Sequence, residues 1–467
     1  TPNLDLSARG GSLRVRQESR RYVQCVKAGA EAATESGFAR REWEWPTSDR
    51  TLDVSVLKNE APLKVLFKGI NLKKLQPIFT TDIRRRSRIL VMPGGARVRC
   101  DEDRGRILCE GREAPIHEVE LELLSGGVEA LLELARLFTA AVPARLSTRS
   151  KARRGFVLYA NQGQPWRRSE PLELPVNAHA KDVLYPAMAA GLHHLMDNED
   201  CVLARSNSEG VHQMRVAMRR MRSLLTTFKT VLPKGSHQGL ADRLKEAANA
   251  LGPARDWDVF IDDLLPPVEA ALSTASERAA LAALRHRAER QRLDAYKAAD
   301  RLIASQAYAR LLTDALCFSV APQKPSKALR QSAKDVAAEL LACRHAHLKK
   351  AGKGLAGLSD AKRHQLRIAI KKARYASAFF AGLYAPKKSN AYTEALRTLQ
   401  DKLGHLNDLA TAQRMMAELV RRARGDKATQ LTLAAGLVEG WYAHAQSTRE
   451  AELKAAWKAF ARAKVFW

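Results

Sequence analysis

Hydrophobic positions recur along the chain with two different periods, and the change from one to the other divides it. Up to about residue 125 they alternate with polar ones in short runs, at 13–16, 22–27, 40–45, 81–91, 96–100 and 116–124, separated by Gly, Pro, Asp and Ser. Alternation of this kind predicts half-buried strands, meandering into an antiparallel sheet or a closed barrel. In the first run Leu13 and Val15 face one way and Arg14 and Arg16 the other; in the last, Val119, Leu121 and Leu123 oppose Glu118, Glu120 and Glu122. Within 81–91 the same rule puts Arg84 and Arg86 on one face and Arg85 on the other. Residues 126–141 change to helical spacing, a short strand is expected at 156–159, and a polar Gln/Gly/Pro stretch at 161–175 predicts a connection.

From about residue 182 onward the period is helical throughout. Helices are expected near 181–201, 237–251, 256–272, 275–301 and 305–318, then 326–351, 359–384, 389–403, 407–424 and 428–463. Ser206 or Ser208 should cap a strongly basic helix that Pro233 closes, and Pro322 and Pro325 mark a break between two halves. The fold class is therefore α+β and multidomain: an antiparallel sheet or closed β-barrel over 1–160, a linker over 161–177, and an all-α bundle over 178–467 built from repeats at 178–321 and 326–467.

The repeat is explicit. His212-Gln213-Met214-Arg215-Val216-Ala217-Met218-Arg219-Arg220-Met221-Arg222 recurs as His364-Gln365-Leu366-Arg367-Ile368-Ala369-Ile370-Lys371-Lys372-Ala373-Arg374, 152 positions on (364 − 212). Leu251-Gly252 with Asp256 recurs as Leu403-Gly404 with Asp408 at the same offset. Steps of three and four align His212, Arg215, Arg219 and Arg222 along one stripe, and His364, Arg367, Lys371 and Arg374 along its copy. Such a face carries cations only, and it is either a solvated basic surface or a site for a polyanion. Asp256 and Asp408 are expected mainly as helix caps, with pairing to a stripe arginine as the other role. His193 and His194, adjacent on one helix, are expected to be surface or packing residues, and His345 and His347 have no assigned role.

Composition sharpens the polyanion reading. A net charge of +28 and a pI near 10.1 favour polyphosphate, nucleic acid or an anionic membrane surface as partner. With only 6% aromatic residues, no basic patch is interleaved with stacking rings, which weighs against nucleic acid. Six cysteines without C-x-x-C spacing fit free thiols in a reducing cytoplasm, and no run of apolar residues is long enough to span a membrane. The strand face holding Glu118, Glu120 and Glu122 repels itself at a spacing of about 7 Å. It is either an outward polar face or a site where Mg²⁺ or Mn²⁺ relieves that repulsion and bridges to phosphate.

Both regions resemble known families. The repeated His-x-x-Arg-x-x-x-Arg/Lys stripe with its Leu-Gly-x-x-x-Asp element closely resembles the CHAD family, the conserved histidine α-helical domain. That resemblance implies a bundle of two pseudo-symmetric halves binding inorganic polyphosphate in a basic groove through His212, Arg215, Arg219, Arg220, Arg222, His364, Arg367, Lys371, Lys372 and Arg374. The run Thr1-Pro2-Asn3-Leu4, the strand Leu13 to Arg16, Lys27, Arg41-Glu42-x-Glu44, Thr81-Asp82-x-x-Arg85, Asp103-x-Gly105, Glu118-x-Glu120-x-Glu122 and Ser150-Lys151-x-x-Arg154-Gly155 look like successive motifs of the CYTH family, the triphosphate tunnel metalloenzymes. This second resemblance implies a tunnel in which Arg14, Arg16, Lys27, Arg85 and Lys151 hold a triphosphate. Glu118, Glu120 and Glu122 would hold Mg²⁺ or Mn²⁺, and Glu42, Glu120 and Lys151 would be catalytic. It alone selects Arg85 over its neighbours. The family opens with a Glu-x-Glu-x-Lys strand that this sequence does not show, so an open barrel edge and an incomplete metal site are expected.

Two functions follow as expectations. The first is a metal-dependent inorganic triphosphatase acting on tripolyphosphate, carrying a polyphosphate-binding helical domain. The second is a non-enzymatic polyphosphate binder, cytoplasmic and placed at polyphosphate granules, whose partial barrel is inactive. A nucleic-acid binder accounts for the charge but not for the carboxylate spacing.

Overall fold

The structure, a computed structural model, describes residues 4–29, 40–58, 60–161, 163–320, 325–444 and 446–467. Thr1 to Asn3 of the first motif and Pro322 lie outside them. The chain forms two compact units, Thr1–Phe138 with Leu146–Gln164, and Thr139–Arg145 with Pro165–Trp467.

In the first unit the alternating runs form, among the described residues, six strands, and these make two separate three-stranded antiparallel sheets rather than one closed barrel. The first sheet pairs β1 (Ser12–Glu18), β2 (Arg21–Gly29) and β3 (Arg40–Thr47) in that order. One of its faces is apolar: Val26 is fully buried, with Leu13, Trp43 and Trp45, against α1 (Asp5–Ala8) and α2 (Ala61–Leu66) through Leu6, Leu63, Phe67 and Ile70. The second sheet pairs β4 (Thr80–Val91), β5 (Arg97–Cys109) and β6 (Arg112–Ser125). Val98, Leu121 and Leu123 on one face pack under α3 (Val128–Ala141) through Ala130, Leu131 and Leu134. Its opposite face therefore collects the charged residues.

Two expectations fail here for identifiable reasons. The strand expected at 156–159 is part of a helix, α4 (Lys151–Ala160), whose N-cap Ser150 accepts a hydrogen bond from the Arg153 amide. Its Phe156 ring meets Phe79 edge-on at 5.3 Å, so the apolar run that resembles a strand is a packed helix face. β5 continues well past Cys100, because Gly105 lies where a Cβ would stand 1.9 Å from the Asp82 carbonyl oxygen of β4. That glycine serves a close strand approach, not a turn.

The second unit is helical: α5 (Ala180–Met196), α6 (Glu199–Leu203), α7 (Glu209–Thr227), α8 (Gln238–Ala250), α9 (Gly252–Asp258), a π-helical turn (Val259–Leu264), α10 (Leu265–Ala271), α11 (Ala275–Ile303) and α12 (Gln306–Ser319) form the first half. The second half comprises α13 (Ala333–Ala351), α14 (Asp360–Phe380), α15 (Pro386–Arg421), α16 (Asp426–His444) and α17 (Gln446–Arg462). Ser208 precedes α7 without a capping bond; Asn207 Oδ1 instead accepts from the Glu209 amide at 2.8 Å. The helices expected at 389–403 and 407–424 are one continuous α15, whereas the equivalent stretch of the first half breaks at Leu251. The halves share a core in which Phe260, Leu264, Leu281 and Leu284 pack with Met416, Leu419, Leu431 and Val438. α7 packs on α14, and the fully buried rings of Phe228 and Phe380, again 152 residues apart, meet at 5.6 Å. Among the described residues no helix is long and apolar enough to cross a membrane.

Candidate functional site

Two charged sites emerge in the sheet-containing unit, one on each sheet. On β4, β5 and β6 the register sets Arg85 opposite Asp103 and Asp103 opposite Glu118, with Asp101 opposite Glu120 and Arg99 opposite Glu122 one step along the same face. Arg85 rather than Arg84 or Arg86 faces these carboxylates. Its guanidinium grips Asp103 through two bonds of 2.7 Å and reaches Asp101 and Glu120 at 2.9 Å each. Lys151, the first residue of α4, brings Nζ to Asp103 Oδ2 at 2.7 Å and Glu120 Oε1 at 2.8 Å, and also donates to Glu118 Oε1. Arg154 holds the other oxygen of Glu118 at 3.1 Å, and Glu122 pairs with Arg99.

Asp103 is fully buried and Asp101 nearly so. Burial alone would raise the Asp103 carboxyl, yet the bonds from Arg85 and Lys151 outweigh it and hold it below the usual carboxylate range. Burial would likewise lower the Lys151 ammonium, and Asp103, Glu118 and Glu120 instead push it up. One oxygen each from Asp103, Glu118 and Glu120 lies within 4.8 Å of the others, a hard all-oxygen donor set of the kind Mg²⁺ or Mn²⁺ takes. Asp101 Oδ1 is buried beside them with no hydrogen-bond partner. The residues therefore fit a divalent cation, with Asp103 in the donor set where Glu122 was expected.

The first sheet assembles Arg14, Arg16, Lys27 and Glu42 on its own polar face. Glu42 accepts from Lys27 at 2.8 Å and from the buried thiol of Cys25 at 3.0 Å, with Arg14 at 3.6 Å; Arg16 pairs with Glu44 at 3.2 Å. Burial and the Glu42 bond push the Cys25 thiol up to about 11, so it stays protonated and donates. Against the opposing effect of burial, the bonds from Cys25 and Lys27 keep the Glu42 carboxyl below its ordinary range, a carboxylate that orients a donor more readily than it takes a proton.

The helical unit presents the opposite electrostatics. Arg215 and Arg219 of α7 face Arg367 and Lys371 of α14, each within reach of the others' fields. Burial, then Arg219 and Arg367, press the Lys371 amine down to about 7. Arg215 is depressed to about 10 by burial and Arg219, and His212 to about 3 by burial and by Arg255, Arg219 and Arg215. Arg219 Nε is buried without a hydrogen-bond partner, an orphaned donor in a cationic groove. Arg222 is likewise lowered, by burial and Arg219 against the pull of Asp242, and Lys372 by burial and then by Arg344, Arg222 and Lys229. Arg220 is lowered by burial despite Tyr375, while Arg374 lies over the Tyr375 ring at 5.0 Å and donates to Gln400 at 2.9 Å. His364 alone of the stripe residues is exposed, in contrast to its half-buried counterpart His212.

Asp256 and Asp408 do not cap helices. Asp256 lies inside α9 and Asp408 in the middle of α15, and they counter the groove cations instead, Asp256 beside Arg215 and Asp408 beside Arg367 and Lys371. His194 is a packing residue as expected, buried with Nε2 2.9 Å from Gln213 Oε1. Residue spacing alone missed three participants, of which Asp103 entered only through the Asp103-x-Gly105 motif. Asp101 and Asp103 follow the run expected to end at Cys100, and Arg255 has no basic counterpart 152 residues on, where Asn407 stands. Period-2 counting carried through from Val98 would have found the two aspartates.

Residues 1–156 match the CYTH domain family and residues 186–417 the CHAD domain family. An inorganic triphosphatase of Haemophilus influenzae is 29% identical over 163 residues, 34% of this chain and 44% of the relative, so the chain spans less than half of that protein's length. The crystal structure of the CHAD domain from the plant Ricinus communis superposes with a TM-score of 0.57 at 29% identity, covering 65% of this chain and 99% of that one. PptA from Streptomyces chartreusis gives a TM-score of 0.44 at 19% identity, over 61% of this chain and 99% of that one. The order of the two family matches along one polypeptide settles its membership: the chain is a CYTH domain followed by a CHAD domain.

Proposed function

We propose that the protein is a metal-dependent inorganic triphosphatase that hydrolyses tripolyphosphate and binds longer inorganic polyphosphate through its helical groove. Residues 1–160 would form the catalytic part, 178–467 the binding part, and 161–177 the linker. The observation that carries the reading is the face on which Lys151 and Arg85 converge on Asp103, Glu118 and Glu120. The likeness to an inorganic triphosphatase supports it.

When bound, Mg²⁺ or Mn²⁺ at Asp103, Glu118 and Glu120 would polarise a phosphoryl oxygen. The protein's own groups would do the rest. Arg85 and Lys151, with Arg14, Arg16 and Lys27, would neutralise and position the phosphate chain, so that charge developing in the transition state meets fixed cations. Glu42, held as a carboxylate, would orient the attacking water. Glu122, paired with Arg99, would help keep the face anionic. In the groove, Arg215, Arg219, Arg367 and Lys371 would exchange mutual repulsion for phosphate oxygens, with His212, Arg220, Arg222, His364, Lys372 and Arg374 completing the surface.

A second reading, a polyphosphate binder placed at polyphosphate granules with an inactive sheet region, is favoured by the two sheets being separate rather than closed. Phosphate release from tripolyphosphate with Mg²⁺ or Mn²⁺, measured beside polyphosphate binding, separates the two. Hydrolysis with binding supports the enzyme; binding without hydrolysis supports the second reading; hydrolysis without binding removes the groove assignment, and absence of both removes both readings.

A further inference from the structure

We infer that the Lys151 ammonium holds the place of the divalent cation on the carboxylate face, so that the metal can enter only as Lys151 leaves and turns to the phosphate chain. This rests on the reading of that face as metal- and phosphate-binding. The three residues Lys151 contacts, Asp103, Glu118 and Glu120, are the same three whose oxygens converge as a donor set.

The two oxygens of Glu118 and of Glu120 are divided between partners. Glu118 Oε2 accepts from Arg154 and Glu120 Oε2 from Arg85, while Oε1 of each accepts from Lys151. Arg85 also holds both oxygens of Asp103. The guanidiniums therefore fix the orientation of all three carboxylates whether or not Lys151 is present. What Lys151 occupies is Glu118 Oε1, Glu120 Oε1 and, shared with Arg85, Asp103 Oδ2, and it does so with a flexible stem anchored at the start of α4.

An ammonium and a divalent cation cannot both use oxygens this close together, because like charges within a few ångströms repel strongly where water is scarce. Asp101 is the second, independent sign of a missing cation. Its side chain is only 6% exposed and lies across from Glu120, and its Oδ1 has no partner while Oδ2 is held by Arg85 at 2.9 Å. Lys151 satisfies three carboxylates and leaves the fourth, which a divalent ion drawn into the cluster would serve. Once displaced, Lys151 needs an anion, and a phosphate chain bridging the metal supplies one. By linkage, metal and phosphate chain then strengthen each other's binding.

The test uses the full chain and does not depend on turnover. Free Mn²⁺ is followed by electron paramagnetic resonance during titration of the native protein, Lys151→Gln and Lys151→Arg, without phosphate. Lys151→Gln should bind Mn²⁺ about tenfold more tightly, the scale of one charge-assisted contact removed, and Lys151→Arg should behave as native. In parallel, acetylation of Lys151 in the native protein, read by mass spectrometry, should speed up with Mn²⁺ and slow again when tripolyphosphate is added. Equal or weaker Mn²⁺ binding by Lys151→Gln, a matching gain in Lys151→Arg, or Mn²⁺-independent acetylation would each overturn the inference. A protein that passes these tests yet releases no phosphate would fail only the triphosphatase reading.

Discussion

The sheet face and the helical groove both gather cations suited to phosphate, but they stabilise those cations in opposite ways. On the sheet face every named cation is matched: Arg85, Lys151 and Arg154 are distributed over Asp101, Asp103, Glu118 and Glu120, and Lys151 is held more firmly protonated than an isolated lysine. In the groove Arg215, Arg219, Arg367 and Lys371 face one another, offset by Asp256 and Asp408, and the charged forms of Arg215 and Lys371 are disfavoured. A neutralised face holds its shape without ligand and can discriminate by exchange of partners. An unneutralised groove stores repulsion that any polyanion relieves, so it is made for avidity rather than for choice.

The largest expected effect breaks the groove alone. Replacing Arg215, Arg219, Arg367 and Lys371 together by Ala should weaken long-chain polyphosphate binding by at least about a hundredfold, as loss of several charge-assisted contacts implies. Far-UV circular dichroism should stay unchanged, since these side chains leave the Phe228 and Phe380 core intact; retained binding in a folded variant would refute the groove assignment. Next, Glu120→Gln with Glu122→Gln should lower phosphate release from tripolyphosphate by about a hundredfold or more. Polyphosphate binding should not change, and a parallel loss of binding would show that the two sites are not separate.

Salt should sharpen the contrast further. Polyphosphate affinity should fall steeply with ionic strength because several groove cations are neutralised at once, whereas Mn²⁺ affinity for the sheet face, where most of the charge is already paired, should fall less. Equal slopes would erase the distinction. The smallest effect concerns pH. Lys371 is charged below about 7 and neutral above it in the free groove, so polyphosphate affinity should drop several-fold between pH 6 and 8 as that charge is lost. A bound polyanion favours the charged form, so binding should take up a proton, and Lys371→Arg should flatten the profile. A native profile already flat across this range would show that Lys371 does not contribute.

How much of this was readable in the residues depended on whether a local rule governed the position. The facing of Leu13 and Val15 against Arg14 and Arg16, and of Glu118, Glu120 and Glu122 against Val119, Leu121 and Leu123, came from alternation and stands in the strand registers. Of the stripes set out by helical spacing, Arg215 and Arg219 of α7 come near Arg367 and Lys371 of α14. What local rules could not supply was context. Asp101 and Asp103 fell beyond the run expected to end at Cys100, with Asp103 carried by its motif alone, because buried carboxylates in a central strand are tolerable only with partners such as Arg85, which comes from another strand. Asp408 looked like a cap because its equivalent follows a helix break, and nothing nearby in sequence announces that α15 runs on without one. Closure of the sheets is a global property, and alternation within strands is equally compatible with two separate sheets.

The 152-residue offset that brings Phe228 against Phe380 has an evolutionary side. Two identical subunits meeting about a twofold axis must accept every substitution on both sides of their interface. A tandem duplication joined in one polypeptide is released from that constraint, and each copy can drift by itself. Here one copy has arginine at 219 and 220 where the other has lysine at 371 and 372, and one copy breaks at Leu251 where the helix of the other runs on through Leu403. The symmetry of the two halves survives as geometry but not as chemistry: the α7 side of the groove carries arginine at 215 and 219, whereas the α14 side sets beside Arg367 a lysine, Lys371, whose charge the surrounding solution can set.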